Sequence, residues 1–433
     1  MEGGENLYIE KISEWKNVKL GEVCEFKRGF SYKSDQLTKN VTDKRFITIN
    51  DLEKEGGIKQ TAQKLYLKDT VEVPSDFYLS EGDILIANTD MSQGFIIGAP
   101  ILIKNLQDEA IVYSMDLTKL IFDKRKIDSR FLFYLLTHHP IRQKMKAFAQ
   151  GTNVLHLNHE LVKNIRISLP TVSEQRRIAE ILSTVDNAIQ KVDAAISKTE
   201  RLKKGLLHEL LTKGIGHKEF KHTEIGRIPR EWEVVRLGEV LALIRNGLTY
   251  RQNRKGNGYP ITRIETISEE RINPTKVGFV NNIGEDDIRN YKLIVGDILF
   301  SHINSLEHIG KAAIYEGRPE ILLHGMNLLL LRPDKSKINP YFLLYLLRAY
   351  KTREIFRNMS KKAVNQASIN QTELKRIKIP LPPLPEQRRI AEILSTVDQK
   401  LDLLKRRKEK LIRIKKGLMN DLLTGKRRVK LNA

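Results

Sequence analysis

The sequence has a single cysteine, Cys24, in 433 residues. An internal disulfide, a CxxC redox pair and a cysteine-rich structural zinc cluster are therefore excluded. Long hydrophobic runs are missing as well. The densest apolar stretches, Phe131 to Leu136 and Phe342 to Leu347, fall far short of the roughly 18 residues a membrane helix requires. The opening Met-Glu-Gly-Gly-Glu-Asn has neither a basic nor an apolar segment of the secretory kind, so a cytoplasmic protein is expected.

Motifs of catalysis are equally scarce. There is no Asn/Asp-Pro-Pro-Tyr/Phe tetrad, and Gly256-x-Gly258 reads as a turn, not as a glycine fingerprint after a strand. Ser305 to Lys311 fails as a phosphate-binding loop because its first glycine and the hydroxyl after the lysine are absent. In His156-x-x-His159-Glu160 the glutamate stands in the wrong order for a zinc protease, and His138-His139 before Pro140 reads as a helix end. A stand-alone enzyme is disfavoured, and no metal ligand or cofactor is expected on the chain.

What the sequence does have is positive charge, with 75 Lys and Arg against 53 Asp and Glu and a net charge of +22. An excess of this size favours a polyanionic partner, because basic side chains release the counterions condensed on nucleic acid. The excess is unevenly spread. Residues 1–170 carry 24 basic and 23 acidic groups, 171–214 carry 8 and 6, 215–382 carry 28 and 18, and 383–433 carry 15 and 6. Reading of nucleic acid by the first segment must then rest on local side chains such as Lys27 and Arg28.

The chain is also duplicated. Glu174-Gln-Arg-Arg-Ile-Ala-Glu-Ile-Leu-Ser-Thr-Val-Asp186 recurs unchanged as Glu386 to Asp398, followed in the same register by Lys203-Lys-Gly-Leu206 and Lys415-Lys-Gly-Leu418. Looser landmarks extend the repeat. Trp15-x-x-Val-x-Leu-Gly-Glu answers Trp232-x-x-Val-x-Leu-Gly-Glu, Gly82-Asp-Ile-Leu85 answers Gly296-Asp-Ile-Leu299, and Phe131-x-x-Tyr-Leu-Leu136 answers Phe342-x-x-Tyr-Leu-Leu347.

Four segments follow: a mixed α/β domain over 1–170, a helix over 171–214, a second mixed domain over 215–382, and a second helix with a basic tail over 383–433. Runs such as Arg45 to Asn50 and Asp83 to Ala87 predict strands. Thr171-x-x-Glu174 predicts a capping box, and a proline cluster stands before Glu386. Apolar residues at Ile178, Leu182, Val185, Ile189, Val192 and Ile196 alternate by four and three, as a coiled-coil seam does, and a shifted continuation runs through Leu202, Leu206 and Leu210. Copy two places Lys408 where Ile196 stands. The fold class expected is α+β: two domains separated by a pair of long antiparallel coiled-coil helices in a pseudo-twofold repeat, with the C-terminus returning beside Trp15.

In these residues the whole chain, from about 14 to 425, resembles the specificity subunit of type I restriction-modification enzymes. The resemblance rests on Pro385-Glu-Gln-Arg-Arg-Ile-Ala-Glu-Ile-Leu394 and its copy from Ser173, on the Lys-Lys-Gly-Leu stretches, and on the two Trp-x-x-Val-x-Leu-Gly-Glu openings. It implies a non-catalytic reader of a bipartite, asymmetric site in double-stranded DNA, with one half-site per domain and the helices setting the gap. It also implies docking of two adenine methyltransferase subunits and two ATP-driven nuclease-translocase subunits. S-adenosylmethionine, ATP and magnesium would then belong to those partners.

Base reading requires paired donors and acceptors on exposed loops, and three loop sets qualify. The first is Lys27, Arg28 and Tyr32 beside Gly29, answered by Arg245, Asn246, Tyr250, Arg251 and Arg254; the alternative is a solvated turn with a packing tyrosine. The second follows Gly-Asp-Ile-Leu and holds Asn88, Asp90 and Gln93, answered by His302 and Asn304; the alternative is a plain solvent loop. The third is Asn153 and Asn158, answered by Asn365 and Gln366, whose amides serve equally well as turn caps. Arg263, Lys361 and Lys362 are phosphate contacts or exposed charge. The identical helix starts suggest that one kind of protein binds twice, through Gln175, Arg176, Arg177 and Glu180 and through Gln387, Arg388, Arg389 and Glu392. A coiled-coil scaffold or RNA adaptor tethered by Lys426 to Lys430 remains the alternative.

Overall fold

A computed structural model describes residues 15–59, 63–91, 94–104, 110–254, 256–352, 355–363 and 366–430. The chain divides into two units, with breaks after Val192 and after Arg406. Each break falls inside a long helix, because each unit takes the start of the helix that follows its own domain and the end of the other.

The first unit is built on an antiparallel sheet in the order Glu25–Arg28, Leu117–Ile121, Ile84–Ala87, Pro100–Leu102. The strand Ile84–Ala87 reads as an unbroken apolar run because it is covered on both faces. Ile84 and Ile86 pack with Phe131, Leu135 and the helix residues Ile178 and Leu182. Leu85 and Ala87 pack on the opposite side with Ile47, Ile101 and Tyr113. The strands Lys16–Lys19 and Arg166–Leu169 pair antiparallel and bring the two ends of the domain together.

The second unit repeats this frame, with Leu241–Asn246, Leu329–Pro333, Ile298–Phe300 and Ala312–Ile314 in the same order and Glu233–Arg236 pairing Lys378–Leu381. What differs is the accessory layer. The first unit adds a four-stranded sheet containing Lys44–Ile47 and Ala110–Tyr113, whereas the second adds the pair Tyr259–Ile261 and Gly278–Val280 and the helix Glu285–Tyr291.

The central helix spans Val172–Thr212 and the C-terminal helix Leu384–Leu422; glycines at positive φ, Gly214 and Gly425, follow their ends. Within the first unit the start of the central helix lies antiparallel to the end of the C-terminal one: Asp186 takes Lys415 at 2.6 Å, and Glu174 takes Arg428 through two bonds of 2.6 and 2.8 Å. The second unit repeats the arrangement with the helices exchanged, Asp398 taking Lys203 at 2.6 Å. Tyr134 donates to Asp186 and Tyr345 to Asp398, at 2.8 and 3.0 Å. The C-terminal segment does return beside Trp15, whose ring lies 5.5 Å from the Arg428 guanidinium and whose indole N–H donates to Glu174.

Two local expectations need correction. The seam does not shift through Leu202, which is 52% exposed; it keeps its four-three spacing through Thr199, which is buried, and Lys203, with Leu206 and Leu210 next. Polar residues occupy the stripe here, so its course is not marked by apolarity alone. The capping box is half formed, since Thr171 Oγ1 accepts from the Glu174 N–H at 3.3 Å while the Glu174 carboxylate is committed to Trp15 and Arg428.

Candidate nucleic-acid interface

Backbone pairing brings the three loop sets of each domain to one end of its central sheet. In the first unit, Arg28 and Ile86 both pair with Thr118, so the strand ends at Arg28 and Ala87 lie at the same end of the sheet, on either side of the strand Leu117–Ile121. Two residues beyond Ala87 the chain enters Thr89–Met91, which pairs with Val154–Leu157, and that strand pairs with Ala149–Gln150. The second unit does the same, with Asn246 and Phe300 both opposite Leu329, then Ile303–Asn304 paired with Gln366–Ser368. A hydrogen bond from the Leu157 N–H to Asn88 O corresponds to one from the Ile369 N–H to His302 O, both 2.8 Å. Asn88 and His302 are thus equivalent positions.

The turn glycines are there for close approach. A Cβ on Gly29 would lie 2.1 Å from Ser114 O, and one on Gly247 1.9 Å from Gly325 O. Neither position admits a side chain without moving backbone.

In the first unit the candidate side chains separate into exposed and committed groups. Arg28 is exposed and donates through Nε to Met115 O at 2.9 Å. Lys27 pairs with Asp76, whose carboxyl it holds below the usual range, and its ammonium lies 4.7 Å from the Phe77 ring centre. Asn153 is exposed in the turn before Val154. Tyr32 packs edge-on against Phe46 at 4.8 Å, the packing alternative. Asn88 is corrected from a reading residue to a scaffold residue: it is buried, donates to Met115 O at 3.2 Å and meets His159 Nε2 at 2.9 Å. Asp90 is likewise buried and accepts from the Met91 and Ile96 N–H groups, fixing its own loop. Asn158 caps a short helix by accepting from the Leu161 N–H at 3.2 Å. Gln93 lies outside the described residues.

The second unit presents a different set of side chains. Asn246, Arg251 and Arg254 are exposed, and Arg254 reaches Glu265 only at 3.5 Å. Arg263 also uses Glu265 and donates to Gln252 Oε1 at 3.1 Å. Arg245 stacks its guanidinium 4.3 Å from the Tyr291 ring centre, and its Nε and one Nη find no acceptor among the described residues. Both atoms are shielded from solvent, so this edge of the guanidinium belongs to the interior of the unit and not to its accessible surface. Tyr250 donates to Asp287 at 3.1 Å. Asn304 shapes its loop by accepting from the Ser305 N–H at 2.9 Å and donating to Ser301 Oγ at 3.1 Å. Asn365 lies outside the described residues, and for Gln366 only its place in the strand is described.

His302 is buried, as is His324, whose backbone N–H donates to the carbonyl of Tyr291 at 2.8 Å. Nothing in the local sequence pattern marked His324, since its neighbours come from distant segments. Burial pushes both imidazoles down to about 4, and the Arg245 charge further disfavours protonated His324. Both rings stay neutral in the folded unit, while in the unfolded chain they take up protons near pH 6.5. The stability they leave intact is therefore full above about pH 6.5 and declines as pH falls toward 4. Thermal unfolding at pH 7.5 and at pH 5 should give a lower midpoint at pH 5, with a smaller difference for His324→Gln; equal differences for the native and variant chains would contradict this assignment.

At the helix starts the identical residues do two jobs. Gln175 and Gln387 are 0% exposed, so their assignment to partner docking is corrected. Gln175 Oε1 accepts from the Asp128 N–H at 2.9 Å, and its amide donates to the carbonyls of Lys126 and Pro170. Gln387 does the same with Asn339, Lys337 and Pro382. Asp128 and Asn339 in turn cap the helices Ser129–Thr137 and Pro340–Thr352, so each glutamine ties the long helix to its own domain. Arg176, Arg177 and Glu180, with Arg388, Arg389 and Glu392, are exposed, and the i,i+3 pairs Arg177–Glu180 and Arg389–Glu392 both measure 2.7 Å. In the second unit this face borders a cleft of about 850 Å³ lined by Arg271, Tyr341, Arg348, Arg388 and Glu392.

Among the described residues no group of three or more His, Cys, Asp or Glu is placed to hold a metal, and no helix is long and apolar enough to cross a membrane. Residues 12–198 and 229–413 match the model of the type I restriction modification DNA specificity domain. The putative type I restriction enzyme MjaX specificity subunit of Methanocaldococcus jannaschii is 62% identical over 205 residues, covering 47% of this chain and 48% of that protein, about half its length. The type I restriction enzyme MjaVIII specificity subunit of the same organism is 30% identical over 436 residues, 96% of this chain and 94% of that one. The crystal structure of a type I restriction-modification S subunit from M. genitalium shares the fold, with a TM-score of 0.60 at 17% identity over 98% of this chain and 99% of that one. With two matched domains on one repeated frame, the chain belongs to the type I restriction-modification DNA specificity family.

Proposed function

We propose that this chain is the DNA-reading subunit of a type I restriction-modification complex, with each domain taking one half of a bipartite, asymmetric site. The observation that carries the reading is the contrast within the duplication. The two units share a sheet order, helix anchors and loop positions, yet their loop ends carry different side chains: Lys27 and the exposed Arg28 in one, Arg245 and the exposed Asn246 in the other. Divergent loops on a common frame are what two readers of unlike sequences require. The exposed Asn246, Arg251 and Arg254 supply donors for base edges and phosphates in the second half-site.

The identical helix faces extend the proposal to partners. Packing accounts for identity at Glu174, Gln175, Ile178, Leu182 and Asp186, but it leaves the exposed Arg176, Arg177, Glu180 and Thr184 unexplained. Docking of one methyltransferase subunit on each copy accounts for them, and nuclease-translocase subunits join through the same assembly. The chain itself performs no chemistry; S-adenosylmethionine, ATP and magnesium act on the partners.

We assign the helices the role of a spacer between the half-sites. The seam follows a seven-residue period, so an insertion of seven residues at matched points of both helices preserves it and adds about 10 Å. In the assembled methyltransferase, the unread gap in the methylated sequence should then lengthen by about three base pairs at 3.4 Å each. An active complex with an unchanged gap would contradict the spacer role.

A further inference from the structure

The loop ends of the two units differ in polarity as well as in charge. In the strand pair Thr89–Met91 and Val154–Leu157, Met91 stands directly opposite Val154, so both side chains leave one face of the ladder. They are 68% and 41% exposed. Asn153 and His156, on either side of Val154, are exposed too, which sets an apolar pair within a polar rim.

The fold does not require this pair. Asp90 and Asn304 each accept from the next residue's N–H, at 2.7 and 2.9 Å, and this equivalence aligns Met91 with Ser305. Leu155 pairs with Asp90 and Ala367 with Asn304, which aligns Val154 with Gln366. The second unit therefore places two polar residues where the first has methionine and valine. Two side chains are also far too few for a stable protein interface, which takes some 20 to 30 residues a side. They suit a small apolar target among polar groups, and the major groove has one such feature, the 5-methyl of thymine. The near balance of charge over residues 1–170, 24 basic against 23 acidic groups, fits a reader that relies less on cations than its partner domain does.

Resting on the DNA-reading role above, we propose that Met91 and Val154 form a thymine-reading tip, contacting the methyl group of an A·T pair in the first unit's half-site. The test uses the assembled complex and its own methylated sequence as DNA, with the thymines of that half-site replaced by uracil, which removes only the methyl. The native complex should lose about fourfold in affinity, the transfer value of one buried methyl. The variant Met91→Ser, Val154→Gln should melt at the native temperature and bind the thymine and uracil duplexes equally. A variant that keeps the native preference, a native complex without one, or a half-site that lacks any A·T pair overturns the proposal. Sequence-specific binding that persists in those cases leaves the DNA-reading role standing, whereas loss of all sequence preference refutes both.

Discussion

Replacing Gln387 by alanine should destabilise the second unit by roughly 3 kcal/mol or more, and Gln175→Ala should do the same to the first, because each substitution strands buried polar groups at about 1 to 3 kcal/mol apiece. The wild-type amide of Gln387 satisfies the Asn339 N–H at 2.7 Å and the carbonyls of Lys337 and Pro382 at 3.1 and 2.8 Å, with no water contact of its own. Alanine leaves all three without a partner and opens the gap the side chain filled. Chemical denaturation measures the loss. The informative comparison is Arg389→Ala with Glu392→Ala on the same helix, two turns from the same domain. Their ion pair is exposed and short-ranged, worth a few tenths of a kcal/mol at most, so stability should be unchanged while capture of the methyltransferase subunit weakens. If Gln387→Ala leaves the denaturation midpoint in place, the helix start is not the anchor described here.

That contrast also shows where sequence reading stops. Identity over Glu174 to Asp186 revealed the duplication, and its four-three pattern located the helices, because both signals are local. Whether an identical residue faces a partner or the chain's own domain is not local. Gln175 finds Asp128 at a sequence separation of 47 and Glu174 finds Arg428 at one of 254, and nothing in the helix pattern separates Gln175 from Arg176. The loop sets behaved similarly. Their convergence followed from the repeat, but Asn88 and Asp90 are turned inward by His159 and Ile96, while Met91, which offers neither a donor nor a strong acceptor, is the most exposed member of its strand.

The anchors differ in one respect between the units. Trp15 and Trp232 both donate to the first glutamate of a long helix, at 3.1 and 3.0 Å. The second partner of that glutamate is Arg428 in the first unit and His217 in the second, at 2.9 Å. The closing contact is therefore kept in kind while its residue changes, which matches a duplication whose frame is retained and whose details have drifted.

The largest functional effect should come from exchanging a whole reading domain. The paired strands Lys16–Lys19 and Arg166–Leu169 bring the ends of the first domain together, and its attachment to the helix is carried by Trp15, Glu174 and Gln175, so residues 15–170 can be replaced by the corresponding domain of a relative that retains these contacts. Mapping of N6-methyladenine in DNA modified by the assembled complex should then show one half-site replaced outright, the other half-site unchanged and the gap preserved. A map in which both half-sites change, or neither does, contradicts two independent readers on a common frame.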